Sequence, residues 1–399
     1  MIVQYGVLLS SRLASSLFQA IAMIIVARQT SVSEFGVLAM IISIYAVLGV
    51  LIDAGLGNLI SRAEATGARE IVLRGMSLNL WISVLFAAVV AVTSFAIYPH
   101  SPTTAAAVLL LGTATSMEKY VDTIVTYSIA RQQRALPVTS VLIRRFTLVL
   151  LILAALPFGN ISSVTYAGAL AIGALLSLVQ AVWYSTREKI LVARVQDLIP
   201  LLRNAFPFMI ANLSAQARFL DSFVVGTTGG VYLSGIYSAG TKLTAPFMIV
   251  PQTLTMVLLP HAARAGTSKA RRLALIMTAG SLLLALLLLP IVFVAPTLVD
   301  LLIGSEYSDA ASTLAVAAIV TPLVALPSPL GSILQANGRE RYVATNGVTF
   351  AILTLAAIGL TAALGNPAMI AASVGLIYLV KAAVLLMEIW RLGPVEGQA

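Results

Sequence analysis

Charged side chains interrupt long apolar stretches of this sequence, and they are the residues best suited to chemistry. An ionised group in such a stretch costs about 2.5–3.5 kcal/mol on membrane-insertion scales, so it faces a partner, a protein interior or water. Seven cations and four anions are placed in this way: Arg12, Lys119, Arg144, Arg145, Arg218, Lys242 and Lys381, with Asp53, Glu118, Asp122 and Asp221. The surplus of cations predicts a water-filled, positively charged chamber that accepts an anion such as phosphate or pyrophosphate.

Depth along each apolar stretch predicts which of these charges pair. From a helical rise of 1.5 Å per residue, Arg12 and Asp53 both lie about 10 Å from the same end of adjacent helices. The same arithmetic places Asp122 and Arg145 both about 12 Å deep. Arg144 lies closer to the interface, where its guanidinium is expected to extend toward water. Depth therefore favours the pairs Arg12–Asp53 and Asp122–Arg145.

The remaining charges divide into two predicted classes. Arg218 and Asp221 are three residues apart, so they share one helix face. Lys242 comes out near the middle of its apolar stretch, with only Asp221 close by. The predicted anion-binding residues are Arg218, Lys242, Arg12 and Lys119. The predicted ion-pair or coupling residues are Asp53, Asp122, Arg145 and Asp221.

The composition requires lipid as the solvent of these stretches. The chain has 399 residues, of which 59% are hydrophobic and 10% charged, against about 45–50% and about 25% in soluble proteins. Its mean hydropathy is +1.00. It has no cysteine and two histidines, which argues against disulfides, thiolate metal sites and a zinc centre. The sequence predicts an integral membrane protein with no metal cofactor.

Twelve apolar stretches are long enough to cross a bilayer, which takes about 20 residues each. They lie at 5–27, 35–60, 75–98, 105–130, 137–157, 161–184, 205–227, 231–259, 273–303, 308–336, 342–364 and 367–390. They lack the two-residue alternation of a membrane barrel, so helices are predicted. The predicted fold is an all-α integral membrane protein with twelve transmembrane helices in two six-helix bundles.

Basic residues occupy alternate loops, which predicts the orientation. Sixteen cations fall in the loops on one side, and Arg28 alone falls on the other. By the positive-inside rule both termini are cytoplasmic. The net charge of +9 is therefore mainly topological and does not indicate a nucleic-acid surface. The opposite loops are all short, which argues against an enzyme with an external catalytic domain.

The longest internal loop divides the chain into two predicted halves. Residues 1–184 form the N-terminal bundle, 185–204 a linker with an interfacial helix, and 205–399 the C-terminal bundle. A shift of 199 residues superposes the first stretches of the two halves, as expected of a parallel transporter repeat. Prolines concentrate in the second half and are read either as static kinks or as gating hinges. The hinge candidates are Pro246, Pro251, Pro290, Pro322 and Pro327.

Three segments resemble one known family in order and spacing. They are SVSEFGVLAMIISIYAVLGVLIDAGLG at 31–57, SGIYSAGTKLTAPF at 234–247 and ILQANGRERYVATNGV at 333–348. They are similar to the second helix, the eighth helix and the tenth-to-eleventh helix junction of bacterial polysaccharide flippases. This is the Wzx-type, O-antigen branch of the superfamily that contains the MATE exporters. The resemblance covers nearly the whole chain.

The resemblance implies a MATE-like fold and a transport function. The substrate would be an undecaprenyl-pyrophosphate-linked oligosaccharide, moved across the bacterial cytoplasmic membrane by alternating access. Lys242 matches the family's eighth-helix lysine and Asp53 its second-helix acid, while Arg12 stands where a basic residue is common. Pyrophosphate would contact Arg218, Lys242 and Arg12. The prenyl tail would stay among the membrane lipids, with H⁺ or Na⁺ coupling and no ATP.

Two further points complete the expectations. The protein is expected to be a monomer that associates with the polysaccharide polymerase machinery. The alternative function is a MATE-like, cation-coupled antiporter that exports small organic compounds. Exporters of cationic drugs favour interior carboxylates, whereas the interior charge here is positive, so the sign of that charge discriminates between the two functions.

Overall fold

The computed structural model describes residues 2–133, 135–159, 161–190, 198–248 and 267–392, and it is helical with no strand in those ranges. The described ranges contain these α-helices in chain order: α1 (Ile2–Gln29), α2 (Val32–Asp53), α3 (Leu56–Ala65), α4 (Arg69–Ile97), α5 (Pro102–Ala130), α6 (Ala135–Ala155), α7 (Ser163–Glu188), α8 (Leu198–Gln216), α9 (Asp221–Gly229), α10 (Val231–Leu243), α11 (Thr267–Leu287), α12 (Ile291–Leu302), α13 (Ala310–Ala325), α14 (Pro327–Ala336), α15 (Glu340–Ala362) and α16 (Pro367–Trp390). Short 3₁₀ helices span Leu156–Phe158, Ala217–Leu220, Ala245–Met248 and Ser305–Tyr307.

The outer surfaces of these helices are apolar. Phe95, Phe293 and Leu360 are 81%, 86% and 72% exposed, a cost that only a lipid solvent removes. Within the described ranges, eight helical segments are long and apolar enough to span a bilayer, with Leu13–Gln29 and Ile291–Leu302 as shorter apolar helices. The chain is therefore a multi-pass membrane protein.

Several apolar stretches that the sequence analysis treats as single helices are interrupted. The stretch 35–60 divides into α2 and α3, and 273–303 divides into α11 and α12. The stretch 205–227 contains α8, the 3₁₀ helix Ala217–Leu220 and α9. The interruptions of 35–60 and 205–227 were not predicted, because hydropathy reports the solvent around a stretch and not its backbone angles. The interruption of 273–303 falls at Pro290, where a kink or hinge was predicted.

Prolines account for part of this pattern. Pro290 separates α11 from α12 and Pro327 begins α14, whereas Pro322 lies inside the continuous helix α13. Proline cannot donate the helical hydrogen bond, so it favours a helix start or a kink. Pro246 falls in a 3₁₀ helix with its side chain outside the described set, and Pro251 lies outside the described residues altogether. A hinge function remains a prediction.

The chain forms two compact units, Met1–Leu220 and Asp221–Ala399. Buried apolar side chains from α3, α4 and α5 fill the core of the first unit, among them Ile60, Met76 and Ile124. Two further clusters fill the second unit, one around Leu330 and Leu385 and one around Val225 and Ile358.

The helix α8 belongs to the first of these units. The predicted second half, 205–399, includes most of it, but α8 packs against α2 and α3. Residues 191–197 of the predicted linker lie outside the described residues. The linker at 185–204 and its interfacial helix stay predictions.

The break between α2 and α3 has a local cause. Ala54 and Gly55 both have left-handed backbone angles, with φ of 49° and 76°. A side chain on Gly55 would collide with the carbonyl oxygen of Ala205 and lie 2.7 Å from the amide nitrogen of Met209, both on α8. Glycine is therefore required here twice, for its backbone angle and for the close approach of α8.

Gly55→Ala is expected to destabilise the protein. The left-handed conformation costs an L-residue about 1–2 kcal/mol, and overpacking against backbone adds about 1–3 kcal/mol. Gly67→Ala is the matched control, because Gly67 has a φ of 73° and open space around it. Thermal unfolding in detergent should show a clearly larger loss for Gly55→Ala. Equal losses for the two variants would mean that contact with α8 is not restrictive.

Candidate functional site

Arg218 lies in the 3₁₀ helix Ala217–Leu220, at the interruption after α8. The buried hydroxyl of Ser43 on α2 donates a hydrogen bond to the carbonyl oxygen of Phe219, which fixes this turn within the first unit. The Arg218 guanidinium lies over the Phe219 ring, 4.7 Å from its centroid. Among the described residues Arg218 has no ion pair, so a partly buried positive charge is available for an anion.

A second group of charges joins α5 to α6. The Arg144 guanidinium donates to Asp122 at 2.9 Å and lies 3.9 Å from Glu118. Arg145 lies 3.6 Å from the same Glu118 oxygen. The Lys119 ammonium lies 3.8 Å from Asp122. These five residues form the α5–α6 charge cluster, in which each cation has a carboxylate within reach.

Two sequence predictions about this cluster are wrong. Asp122 pairs with Arg144 and not with Arg145, whose partner is Glu118. Arg144 does not extend to the interface, because only 7% of it is exposed. Depth alone cannot separate two adjacent residues, since one step along a helix turns the side chain by about 100° at nearly the same depth.

Lys119 is also positioned by a glycine on α2. A side chain on Gly49 would lie 2.5 Å from the Cε atom of Lys119, so the lysine stem occupies the space that glycine leaves. The ammonium is within electrostatic range of Asp53 as well as Asp122. Lys119 therefore already has a counter-ion, which weakens its assignment to the anion-binding site.

Asp53 caps the short helix that follows it. Its carboxylate accepts a hydrogen bond of 3.2 Å from the amide of Gly57, in the first turn of α3, where a negative charge is favourable. The predicted partner, Arg12, lies on α1, and its side chain is outside the described set. The Arg12–Asp53 pair and the role of Arg12 in anion binding therefore stay predictions.

In the second unit, Asp221 is held by hydroxyl groups. The amide of Ser222 donates to its carboxylate at 2.6 Å, and the hydroxyl of Tyr237 donates at 3.2 Å. The Ser238 hydroxyl continues the chain by donating to that of Ser222 at 2.9 Å. Among the described residues Asp221 makes no ion pair, and its partners are an amide and two hydroxyl groups.

Lys242 follows the same face of α10. Ser234 and Ser238 precede it at intervals of four residues, so the three side chains lie in one row. Lys242 is partly buried, and within the described part of the chain it makes neither an ion pair nor a side-chain hydrogen bond. The helix ends two residues later at Thr244, whose hydroxyl accepts a 3.1 Å hydrogen bond from the hydroxyl of Thr321. A fixed helix end therefore presents a cation that has no counter-ion among the described residues.

Sequence reasoning missed two polar residues that set this geometry. Ser43 orients the turn that carries Arg218. Asn79, fully buried on α4, donates to the carbonyl oxygen of Ile52 at 3.1 Å and accepts from Thr123 at 3.1 Å. It thereby satisfies a carbonyl group that the break after α2 leaves without its helical partner. The available signal was a polar side chain within a largely apolar stretch.

No group of three or more histidine, aspartate or glutamate side chains in the described ranges is placed to hold a metal ion.

Solved structures with similar folds are membrane transporters. The lipid II flippase MurJ, in its inward closed conformation, has a TM-score of 0.71 at 11% identity, covering 95% of this chain and 86% of that one. A variant of the Vibrio cholerae MATE transporter VcmN has a TM-score of 0.67 at 15% identity, covering 98% and 95%. An inward-facing multidrug resistance MATE transporter of the MOP superfamily has a TM-score of 0.70 at 12% identity, covering 94% of each chain. The MATE-like fold is thus confirmed.

Comparison with curated proteins gives no match to this sequence. A family model, in contrast, matches the sequence. The model described as "Polysaccharide biosynthesis protein" matches residues 25–312, well over half of the chain, and includes Asp53, the α5–α6 charge cluster, Arg218 and Lys242. The chain therefore belongs to this polysaccharide biosynthesis protein family.

Proposed function

We propose that this protein is a flippase that moves an undecaprenyl-pyrophosphate-linked oligosaccharide from the inner to the outer leaflet of the bacterial cytoplasmic membrane. The proposal depends on the burial and the charge environment of Arg218 and Lys242. Each is a partly buried cation in a membrane-embedded unit, and neither makes an ion pair among the described residues. Such charges are costly unless an anion visits them.

Pyrophosphate supplies the negative charge that these two cations lack among the described residues. It offers several negatively charged oxygens, and hydrogen bonds between ionised partners contribute about 1.5–3 kcal/mol each. Each cation of the α5–α6 charge cluster already has a carboxylate within reach, so the headgroup contacts are assigned to Arg218 and Lys242, with Arg12 as a further predicted contact. Membership in a polysaccharide biosynthesis family and a fold shared with a lipid II flippase support a lipid-linked glycan as the cargo.

The proposal includes the way the chain crosses the membrane. Twelve crossings with both termini in the cytoplasm fit the alternate loops that contain the basic residues. The protein acts as a transporter and not as an enzyme, and alternating access is driven by an H⁺ or Na⁺ gradient without ATP. The similarity in fold to MATE transporters supports this form of transport.

Purified protein in lipid vesicles tests the function. Vesicles are loaded in one leaflet with undecaprenyl-pyrophosphate oligosaccharide that carries a fluorescent sugar, and a membrane-impermeant quencher reports its appearance in the other leaflet. We expect protein-dependent appearance of the labelled lipid. A matched undecaprenyl-linked glycan without phosphate should stay in place. Equal movement of both lipids, or movement of neither, would contradict the proposal.

Cation-coupled export of small organic compounds is a second candidate, and Asp221 favours it. Its carboxylate is held by hydroxyl groups rather than by a cation among the described residues, as a binding site for a positive ligand would need. The same vesicles distinguish the flippase from the antiporter. Uptake of a fluorescent organic cation that depends on Asp221, without movement of the labelled lipid, would favour the antiporter.

A further inference from the structure

A group of ion pairs ties helix ends together in the first unit. Arg131, directly after α5, pairs with Glu188, the last residue of α7, and its Nε atom lies 3.7 Å from Glu64 on α3. Arg69, the first residue of α4, donates to the main-chain oxygen of Glu188 at 2.9 Å. Arg69, Arg131 and Glu188 are called the first clamp. It joins the ends of α4, α5 and α7.

The second unit contains a corresponding group. Arg339, after α14, lies 3.6 Å from Glu388 near the end of α16. Arg271, in the first turns of α11, donates to the main-chain oxygens of Trp390 and Leu392, each at 2.8 Å. Arg271, Arg339 and Glu388 are called the second clamp. It joins the ends of α11, α14 and α16.

The two clamps occupy equivalent places in the predicted repeat. In each half, an arginine at the start of the third crossing bonds the main chain at the end of the sixth. A second arginine, after the fourth crossing, pairs with a glutamate at the end of the sixth. Glu388 follows Glu188 by 200 residues and Arg271 follows Arg69 by 202, close to the repeat offset seen in the sequence. Arg339 follows Arg131 by 208 residues, so the equivalence is one of helix and chemistry for all three pairs and of sequence position for two of them.

The glutamates stand where an isolated carboxylate is unfavourable. The C-terminal end of a helix carries partial negative charge, so an anion there is repelled and a cation is attracted. The last carbonyl groups of a helix also lack internal partners. Each clamp answers both needs, since one arginine neutralises the glutamate and another bonds the terminal carbonyl groups. Glu388 is only 9% exposed at its side chain and lies 3.6 Å from Arg339 and 3.8 Å from Arg391, so its charge depends on both arginines.

We infer that each clamp holds the third, fourth and sixth crossings of its half together as one block, at the end predicted to face the cytoplasm. The loop arginines thus act in tertiary structure as well as in topology. The helix ends within each block then keep a fixed separation during conformational change. The inference concerns the helix ends alone and does not depend on which substrate is transported.

Charge reversal with rescue tests the pairing. Glu188→Arg should lower the melting temperature of the purified protein by about 5 °C, and Arg131→Glu with Glu188→Arg should recover more than half of that loss. Glu388→Arg and Arg339→Glu form the equivalent set in the second unit. Glu70→Arg is the matched control, because Glu70 pairs with Arg74 at a site where its side chain is 76% exposed. A double variant no more stable than the single one would overturn the clamp.

Spin-label distances test the block itself, since the chain contains no cysteine. Labels on Ile129→Cys and Thr186→Cys report the separation of α5 and α7, and labels on Gln335→Cys and Met387→Cys report that of α14 and α16. We expect one narrow distance distribution for each pair in vesicles, with or without inorganic pyrophosphate. Glu188→Gln and Glu388→Gln should broaden them. Two populations in the parent protein, or no effect of the glutamine variants, would refute the block.

Discussion

Replacing Lys242 or Arg218 with alanine is expected to abolish export of surface polysaccharide while the amount of protein in the membrane stays normal. Each side chain would lose a charge-assisted contact with pyrophosphate worth about 1.5–3 kcal/mol, or about a 10- to 100-fold loss of headgroup affinity. Stability should change little, because neither cation makes an ion pair that its removal would break within the described residues. The measurement is complementation of a strain lacking the gene, with protein quantified in the same cells.

Matched variants separate charge from packing. Lys242→Arg and Arg218→Lys keep the positive charge and should retain part of the export. Lys381→Ala removes a lysine from another helix of the second unit, where it lies 5.4 Å from the centre of the Tyr378 ring, and should leave export nearly normal. Normal export by both alanine variants would refute the headgroup site. Loss of membrane protein in either variant would assign a structural role to that residue instead.

Asp122→Asn is expected to cause the largest loss of stability among the charge variants. It removes the carboxylate that Arg144 contacts at 2.9 Å and leaves a guanidinium that is 8% exposed at its side chain. Breaking a buried ion pair from one side costs about 3–5 kcal/mol. Glu118 lies 3.9 Å from the same guanidinium, so the lower end of that range is expected. Thermal unfolding in detergent measures the effect.

Two further variants test whether the loss of stability comes from the broken ion pair. Glu70→Gln breaks a surface pair with Arg74 and should cost about 0–1 kcal/mol. Adding Arg144→Met to Asp122→Asn removes the stranded charge and should restore much of the stability. If Asp122→Asn proves as mild as Glu70→Gln, the α5–α6 charge cluster does not stabilise the helix pair. If Arg144→Met brings no recovery, the loss comes from Asp122 itself.

The membrane class of the protein follows from the sequence, because composition and the length of apolar stretches depend on the solvent alone. The helical ends at Asp53 and Leu287 do not follow from it. The first end depends on a left-handed turn and on the backbone of α8 against Gly55. The second precedes Pro290, which the sequence marks as a kink without showing whether the helix bends or stops.

For the charged residues of the site, too, part follows from the sequence and part only from the structure. The sequence identifies the charged residues inside apolar stretches, and it identifies Asp122 as a residue with a cationic partner. It cannot choose between Arg144 and Arg145, which differ in direction and hardly in depth. The partners of Asp221 were also beyond it, because Tyr237 reaches the carboxylate only when α10 packs beside α9.

The sequence by itself determined that the chain is an apolar, multi-pass protein, and it predicted an excess of interior cations and a faint internal repeat. Those properties are sums over residues or depend on order along the chain. Only the tertiary structure decided which cations are neutralised, since an ion pair depends on side-chain directions that differ by 100° between neighbours. It also showed that arginines scattered through the loops meet glutamates at helix ends, a contact that exists only after the helices have packed.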